Sequence, residues 1–166
     1  MEGTSSATND VVTRAIEKYS DMIYRICFMY LKSEADSQDI SQEIFLKLLQ
    51  RRESFESEEH EKAWLIRVTI NKCKDFHKSF FHKNVCSIDG MEIPTEDKTE
   101  TGVLREVLTL PQKYRDAIYL YYFEDYSVAE IADILSEKEN TIHTHLRRAK
   151  ALLKVKLRGF EDGNDF

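Results

Sequence analysis

Apolar residues recur every three or four positions in five stretches of this chain, with short polar breaks between them. Ile16, Tyr19, Ile23, Ile26 and Tyr30 line one face of a helix predicted over Val11–Leu31. A second helix is predicted over Ala35–Arg51, with Ile40, Ile44, Leu48 and Leu49 inward and Asp36, Asp39, Gln42 and Glu43 on the opposite face. A third is predicted over Glu59–Phe81, anchored by Trp64, Leu65 and Val68. The polar loop Arg52–Glu58 before it holds one aromatic residue, Phe55. Towards the C-terminus, Ser127 followed by Glu130 forms a capping box, the signature of a helix start. Val128, Ile131, Ala132 and Leu135 then share one face. After a break at Ser136–Asn140, Ile142, Leu146, Ala149 and Leu153 form one stripe within Thr141–Arg158. Ala132 is small where a second helix must cross closely, so this pair reads as a helix-turn-helix.

Two prolines, five glycines and little apolar–polar alternation favour an all-α fold. Segment 86–102 lacks a helical period, contains Gly90, Pro94 and Gly102, and carries one lysine against five acids. It reads as a flexible acidic linker between two small helical domains, 11–85 and 103–158. Residues 1–10 are expected to be a disordered N-terminus, and 159–166 an acidic tail. No leader and no membrane-length apolar run is found, and three cysteines make an odd set. The expectation is therefore a cytoplasmic protein with reduced thiols and no membrane insertion.

Net charge is -6, yet Asn140–Phe160 holds six Lys/Arg and no acid. A basic helix at the end of an acidic chain suits contact with DNA phosphate. Its first turns usually meet base edges, making Thr141, His143, Thr144, Arg147 and Arg148 candidate DNA contacts, with Lys150 and Lys154 on the same outer face. A solvated last helix of a bundle would have the same charge. The third helix interleaves Arg67, Asn71, Lys72, Lys74, Lys78 and Lys83 with Trp64, Phe76, Phe80 and Phe81. Basic residues attract phosphate and aromatic faces stack unpaired bases, as in single-strand binding. A core aromatic stripe beside a lysine face gives the same composition.

No glycine-rich phosphate loop and no nucleophile motif occurs, so no catalytic residue and no cofactor are predicted. Cys73, His77, His82 and Cys86 are zinc-ligand types, but their spacing does not match common finger patterns, so no metal is assigned. Cys27 reads as a small core residue.

The segments DSQDISQEIFLKLLQ (36–50), HEKAWLIRVTINKCKDF (60–76), LTLPQKYRDAIYLYYFEDYSVAEIADIL (108–135) and TIHTHLRRAKALLK (141–154) resemble bacterial RNA polymerase sigma factors of the extracytoplasmic-function type. The resemblance spans about 16–85 and 103–157, in order, around the linker. It implies a non-catalytic specificity subunit that binds core RNA polymerase and directs it to promoters. The matching core-binding positions are Asp39, Gln42, Glu43 and Phe45. The family captures a flipped-out base of the minus-ten element beside the loop before the Trp helix and reads further non-template bases from that helix. The matching positions are Phe55 and Trp64, with Arg67, Asn71 and Lys74 on the reading surface. Its second domain reads the minus-thirty-five element as duplex, which agrees with the helix-turn-helix argument. The resemblance also implies an anti-sigma factor as partner.

Three departures bear on the second domain. Ser136 stands where a glycine is usual, Lys138 where a small cap is frequent, and His143 and His145 where basic side chains often sit. Glu137 and Glu139 place negative charge near the recognition-helix start. The alternative is a stand-alone helix-turn-helix regulator that binds duplex without polymerase.

Overall fold

Each apolar stripe has found a partner helix. The computed structural model describes the backbone of residues 3–83 and 100–161. In order these form α1 (Gly3–Leu31), α2 (Glu34–Gln50), α3 (Glu58–Lys83), α4 (Glu100–Leu108), α5 (Gln112–Ile118), a π-helical turn (Tyr119–Phe123), α6 (Val128–Leu135) and α7 (Glu139–Glu161). No strand occurs among the described residues. The chain divides into two units, Met1–Met91 and Glu92–Phe166. The acidic segment 86–99, the residues after Glu161, and the side chains of Phe80, Phe81 and His82 lie outside the described residues.

In the first unit α1 packs against both α2 and α3. Ile23, Ile26 and Cys27 of α1, Ile44 of α2, and Leu65, Ile66, Thr69 and Cys73 of α3 are fully buried together. Where the three helices meet, the Ser41 hydroxyl donates to the Cys27 sulfur at 3.8 Å. A hydrogen bond from Cys73, with the one from Ser41, pulls the Cys27 thiol below its usual value against the effect of burial. His77 Nε2 donates to the Tyr30 carbonyl at 2.5 Å, tying α3 to the end of α1. Lys32, in the left-handed region at φ 49°, ends α1. Ser33 then caps α2, its hydroxyl accepting from the Asp36 amide.

In the second unit α7 packs on α4, α5 and α6. Its stripe of Ile142, Leu146 and Ala149 is buried, as are Ile131 and Ala132 of α6. The capping box at Ser127 and Glu130 is present in both directions, at 3.2 and 2.8 Å. Arg115 is buried behind this layer, donating to the Leu108 carbonyl at 3.1 Å and to Gln112. It thus secures the turn between α4 and α5. Lys156 of α7 also bonds the Thr109 hydroxyl in that turn.

Several predicted details differ. α1 begins at Gly3 rather than Val11. Its early turns are polar, but Ala7, Val11 and Val12 line a cavity shared with the loop before α3. Extending a helix also avoids a fresh nucleation step. Ile16 is 41% exposed because the stripe passes through Ala15, whose small side chain sits at the helix contact. Leu49 is 38% exposed, beyond the face of α2 that meets its neighbours. Of the predicted α6 residues Ile131 and Ala132 are buried and Val128 and Leu135 are half-buried, while Ile134 is buried in addition. α4 takes in residues 100–102, and α7 takes in 159–161.

The helix-turn-helix turn rests on Ser136 in the left-handed region, φ 55°. The Glu137 amide returns to the Ala132 carbonyl at 2.9 Å, closing the end of α6. A side chain pays a steric penalty there that glycine avoids. Ser136→Gly is expected to raise stability by about 0.5–1 kcal/mol, since glycine's extra unfolded-state entropy offsets part of the relief. Urea denaturation checks it; a lower midpoint would contradict the strain assignment.

Candidate nucleic-acid interface

On α2, positions 39, 42, 43 and 46 project from one side, and Asp39, Gln42, Glu43 and Leu46 are all exposed there. Leu46, 55% exposed, is an apolar member of this surface that sequence reasoning missed. Phe45 is half-buried on the flank of the helix. Lys72 of α3 pairs with Glu43 at 2.5 Å. Leu46, Lys47, Gln50 and Lys72 border a hollow of about 200 Å³ beside the acidic residues. This surface therefore offers carboxylates around an apolar spot.

The second surface is built where α2 gives way to the loop before α3. The Arg51 guanidinium lies 4.4 Å from the Phe55 ring centre and 5.1 Å from that of Trp64. The two rings are 5.5 Å apart. Cation–π attraction thus holds the loop aromatic against the Trp helix. His60 meets Phe55 edge-on at 5.4 Å, and its Nδ1 accepts from the Glu56 amide at 3.3 Å. The Ser57 hydroxyl accepts from the His60 amide at 3.1 Å, starting α3. A cavity of about 580 Å³ opens beside the loop, between it and the first turns of α1.

From Trp64 a line runs along α3 through Arg67, Asn71, Lys74 and Lys78, spaced by three or four residues. Trp64 is half-buried and the other four are exposed. The predicted reading residues therefore share one side of α3 and adjoin the loop. Arg51, which organises that loop, was not recognised from sequence. Arginine at a helix end has no local signature, and its role depends on rings at positions 55 and 64.

On α7 the exposed residues include His143, Arg147, Arg148 and Lys154. Thr141 and Thr144 are half-buried. The Thr144 hydroxyl donates back to the Asn140 carbonyl at 3.0 Å. Lys150 sits to one side, its ammonium 5.4 Å from the Tyr122 ring and 5.9 Å from that of Tyr121. Hydrogen bonding to Tyr122 raises its pKa above the ordinary lysine value. His145 packs inward. Its ring meets Tyr114 edge-on at 5.6 Å, and Nδ1 is buried without a hydrogen bond. Of the two histidines, only His143 belongs to the outer face.

The candidate ligands Cys73, His77, His82 and Cys86 do not form a describable cluster. Cys73 is fully buried near Cys27, His77 is used by Tyr30, and the other two side chains lie outside the described residues. Among the described residues no group of three or more His, Cys, Asp or Glu is arranged to hold a metal, and no helix is long and apolar enough to cross a membrane.

The profile of Sigma-70 region 2 matches residues 15–79, and that of Sigma-70 region 4 matches residues 102–153. RNA polymerase sigma factor SigV of Bacillus subtilis is 31% identical over 154 residues, covering 90% of this chain and 93% of that protein. ECF RNA polymerase sigma factor SigW of Bacillus subtilis is 27% identical over 169 residues, covering 90% of each. The chain belongs to the sigma-70 family of RNA polymerase sigma factors, in its extracytoplasmic-function branch. This sigma factor also shares its fold with solved structures. One is of sigma factor RpoE in complex with anti-sigma factor NepR from Bartonella quintana, at TM-score 0.70 and 18% identity, covering 88% of this chain and 96% of that one. Another is of CnrH in complex with the cytosolic domain of CnrY, at TM-score 0.65 and 17% identity, covering 91% and 90%. Region 2 of the sigma factor contains the α2 and α3 surfaces, and region 4 contains the helix-turn-helix.

Burial, aided by Lys113 and Arg148 and opposed by Glu137, pushes the His145 pKa below its ordinary value. The folded state thus prefers neutral imidazole. This contribution is fully present above about pH 6.5 and is lost as pH falls from there through the depressed folded value. His145→Phe is expected to flatten the fall in stability between about pH 7 and pH 5, read as urea midpoint against pH. An unchanged slope would contradict the assignment.

Proposed function

We propose that this alternative sigma factor acts without catalysis, as a two-point promoter reader that works only on core polymerase. The α2 surface of Asp39, Gln42 and Glu43, with Phe45 at its edge, is the polymerase contact. Carboxylates around exposed Leu46 suit a partner surface with basic residues around an apolar spot. The α3 side from Trp64 through Arg67, Asn71 and Lys74 reads the non-template minus-ten strand, with Phe55 at the capture loop. Region 4 reads the minus-thirty-five duplex through α7, where Thr141, His143, Thr144, Arg147 and Arg148 are placed for groove and phosphate contact. Lys150, engaged with Tyr121 and Tyr122, lies at the edge of that footprint.

The observation that carries this reading is the continuous run from cavity to basic line on region 2. A loop aromatic held by Arg51 and Trp64 stands between an open cavity and exposed Arg67, Asn71 and Lys74. Stacking suits an unpaired base, cationic side chains suit the phosphates on either side of it, and unstacking couples recognition to strand opening. A stand-alone duplex regulator has no use for such a surface.

Action beside polymerase places the factor in the cytoplasm. An anti-sigma factor is its proposed regulator, supported by the related fold solved with such a partner.

Run-off transcription with core enzyme and a promoter library, followed by sequencing, tests the whole reading. Phe55→Ala and Asn71→Ala are each expected to lower open-complex formation about tenfold while core binding is retained, in line with stacking worth about 1–3 kcal/mol per base. Arg147→Ala is expected to weaken binding to duplex promoter and to reduce the slope of log affinity against log salt by about one. Tight operator binding without core, unaffected by Phe55→Ala, would favour the stand-alone regulator instead.

A further inference from the structure

Region 4 carries an apolar groove between α4, the π-helical turn and the second half of α7, with a volume of about 550 Å³. Val103, Val107, Phe123, Leu153 and Leu157 form its wall. Val103 is 44% exposed, Phe123 45% and Leu157 36%, a contiguous apolar area of the kind that marks a docking site. Lys150, Lys154 and Arg158 stand along its α7 side, and among the described residues no acid lines it. The groove therefore suits an occupant that is apolar and acidic at once. The groove residues of α7, at 150, 153, 154, 157 and 158, repeat every three or four positions and share one side of the helix. Position 161, the last of α7, continues that series, so the chain leaves the helix on the side of the groove. Five residues follow: Asp162, Gly163, Asn164, Asp165 and Phe166. They hold two acids, an aromatic residue and, between them, a Gly–Asn pair of the kind that reverses a chain. At about 1.5 Å per helical residue, Leu157 lies about 6 Å back from position 161 and Leu153 about 12 Å. Three residues after a reversal extend over about 10 Å, which brings Phe166 back to the level of Leu157.

We propose that Asp162–Phe166 folds back into this groove, Phe166 against Val103 and Leu157 and the two aspartates beside Arg158 and Lys154, and thereby withholds these cations from DNA phosphate. Tethering makes a weak contact sufficient, because a short linker holds its end at a high effective concentration. The tail then acts as a counter-ion built into the chain. Non-specific binding rests on phosphate charge and is lowered in full, whereas a matching element keeps the base contacts of the first turns of α7. Lys150 is engaged with Tyr121 and Tyr122, so two cations are masked rather than three. The masking rests on the reading of α7 as a duplex contact; the seating of the tail does not.

The test uses the full chain with Cys86→Ser, since Cys27 and Cys73 are buried. Val103→Cys combined with Phe166→Cys is expected to form a disulfide within one chain under mild diamide oxidation, located by peptide mass. Leu152→Cys combined with Phe166→Cys is the control, because Leu152 is also exposed on α7 but does not line the groove; it is expected to link far less. Anisotropy with a duplex of unrelated sequence reads the consequence. Deleting residues 162–166 is expected to raise affinity about tenfold at low salt and to steepen the slope of log affinity against log salt by about two, one for each released cation. Phe166→Ala keeps both acids, removes the anchor and is expected to reproduce most of that change. Equal linking at positions 103 and 152 overturns the seat, and so does a link between two chains, which would give the groove to a second copy. Tighter binding after the deletion but not in Phe166→Ala would mean that the acids act without a seat, and the proposal falls. A seated tail whose deletion leaves DNA binding unchanged, while Arg147→Ala weakens it, overturns the masking. If Arg147→Ala changes nothing either, the duplex reading of α7 falls with it.

Discussion

Each unit is governed by the need to bury one narrow apolar stripe of a long helix against two or more neighbours. In region 2 that helix is α1, whose Ile23, Ile26 and Cys27 are shared between α2 and α3. In region 4 it is α7, whose Ile142, Leu146 and Ala149 hold α5 and α6. Once these stripes are satisfied, the rotation of every other helix is fixed. The outward residues of α2, α3 and α7 then become presented surfaces. Their chemistry is free to differ because none of it maintains the core. One face of α2 is acidic, one side of α3 is basic with an aromatic end, and the outer face of α7 is basic. The same burial that folds the chain also sorts its contacts.

Most of this was legible in the chain itself, and the reasons can be stated for particular residues. Ser127 and Glu130 announced the start of α6 because a capping box is satisfied within four residues and needs no tertiary context. The stripe of α7 was readable for a similar reason: four apolar positions at spacings of four, three and four admit one helical face. Arg67, Asn71 and Lys74 were grouped by the family resemblance, and their spacing of four and three is consistent with one helical side. Misreadings arose where neighbours decide. Ile16 and Ala15 are both apolar, and only tertiary packing decides that the smaller one is buried. Leu49 continues the α2 pattern past the point where any helix covers it. His145, which the pattern left without a face, meets Tyr114 of α5.

The parts of the candidate site that escaped sequence reading are those assembled across chain breaks. Arg51 belongs to the end of one helix, Phe55 to a loop and Trp64 to the next helix. Their sandwich depends on the path of the loop, which no local pattern specifies. Glu61 looked like one more acid in an acidic helix start, favourable there by the helix dipole. Its burial is a tertiary effect: Arg14 of α1 closes over it, forty-seven positions away in the chain.

The π-helical turn at Tyr119–Phe123 has a consequence for how region 4 can vary. Its wide turn closes with the Glu124 amide on the Tyr119 carbonyl at 3.2 Å, one residue beyond the ordinary helical step. Geometrically it is an α-helix carrying one extra residue. That residue lets Tyr119 and Leu120 stay inside while Tyr121, Tyr122 and Phe123 emerge in succession. The added aromatic surface is confined to a local swelling of the backbone, after which the Tyr126 amide rejoins the Leu120 carbonyl at 3.0 Å. A sequence one residue shorter here could close an ordinary α-turn and lose the swelling. Lys150 would lose the rings it rests against, while the capping box and the helices it introduces would keep their own hydrogen bonds. The π-turn makes this flank of region 4 a module of one residue, adjustable apart from the helix-turn-helix beside it.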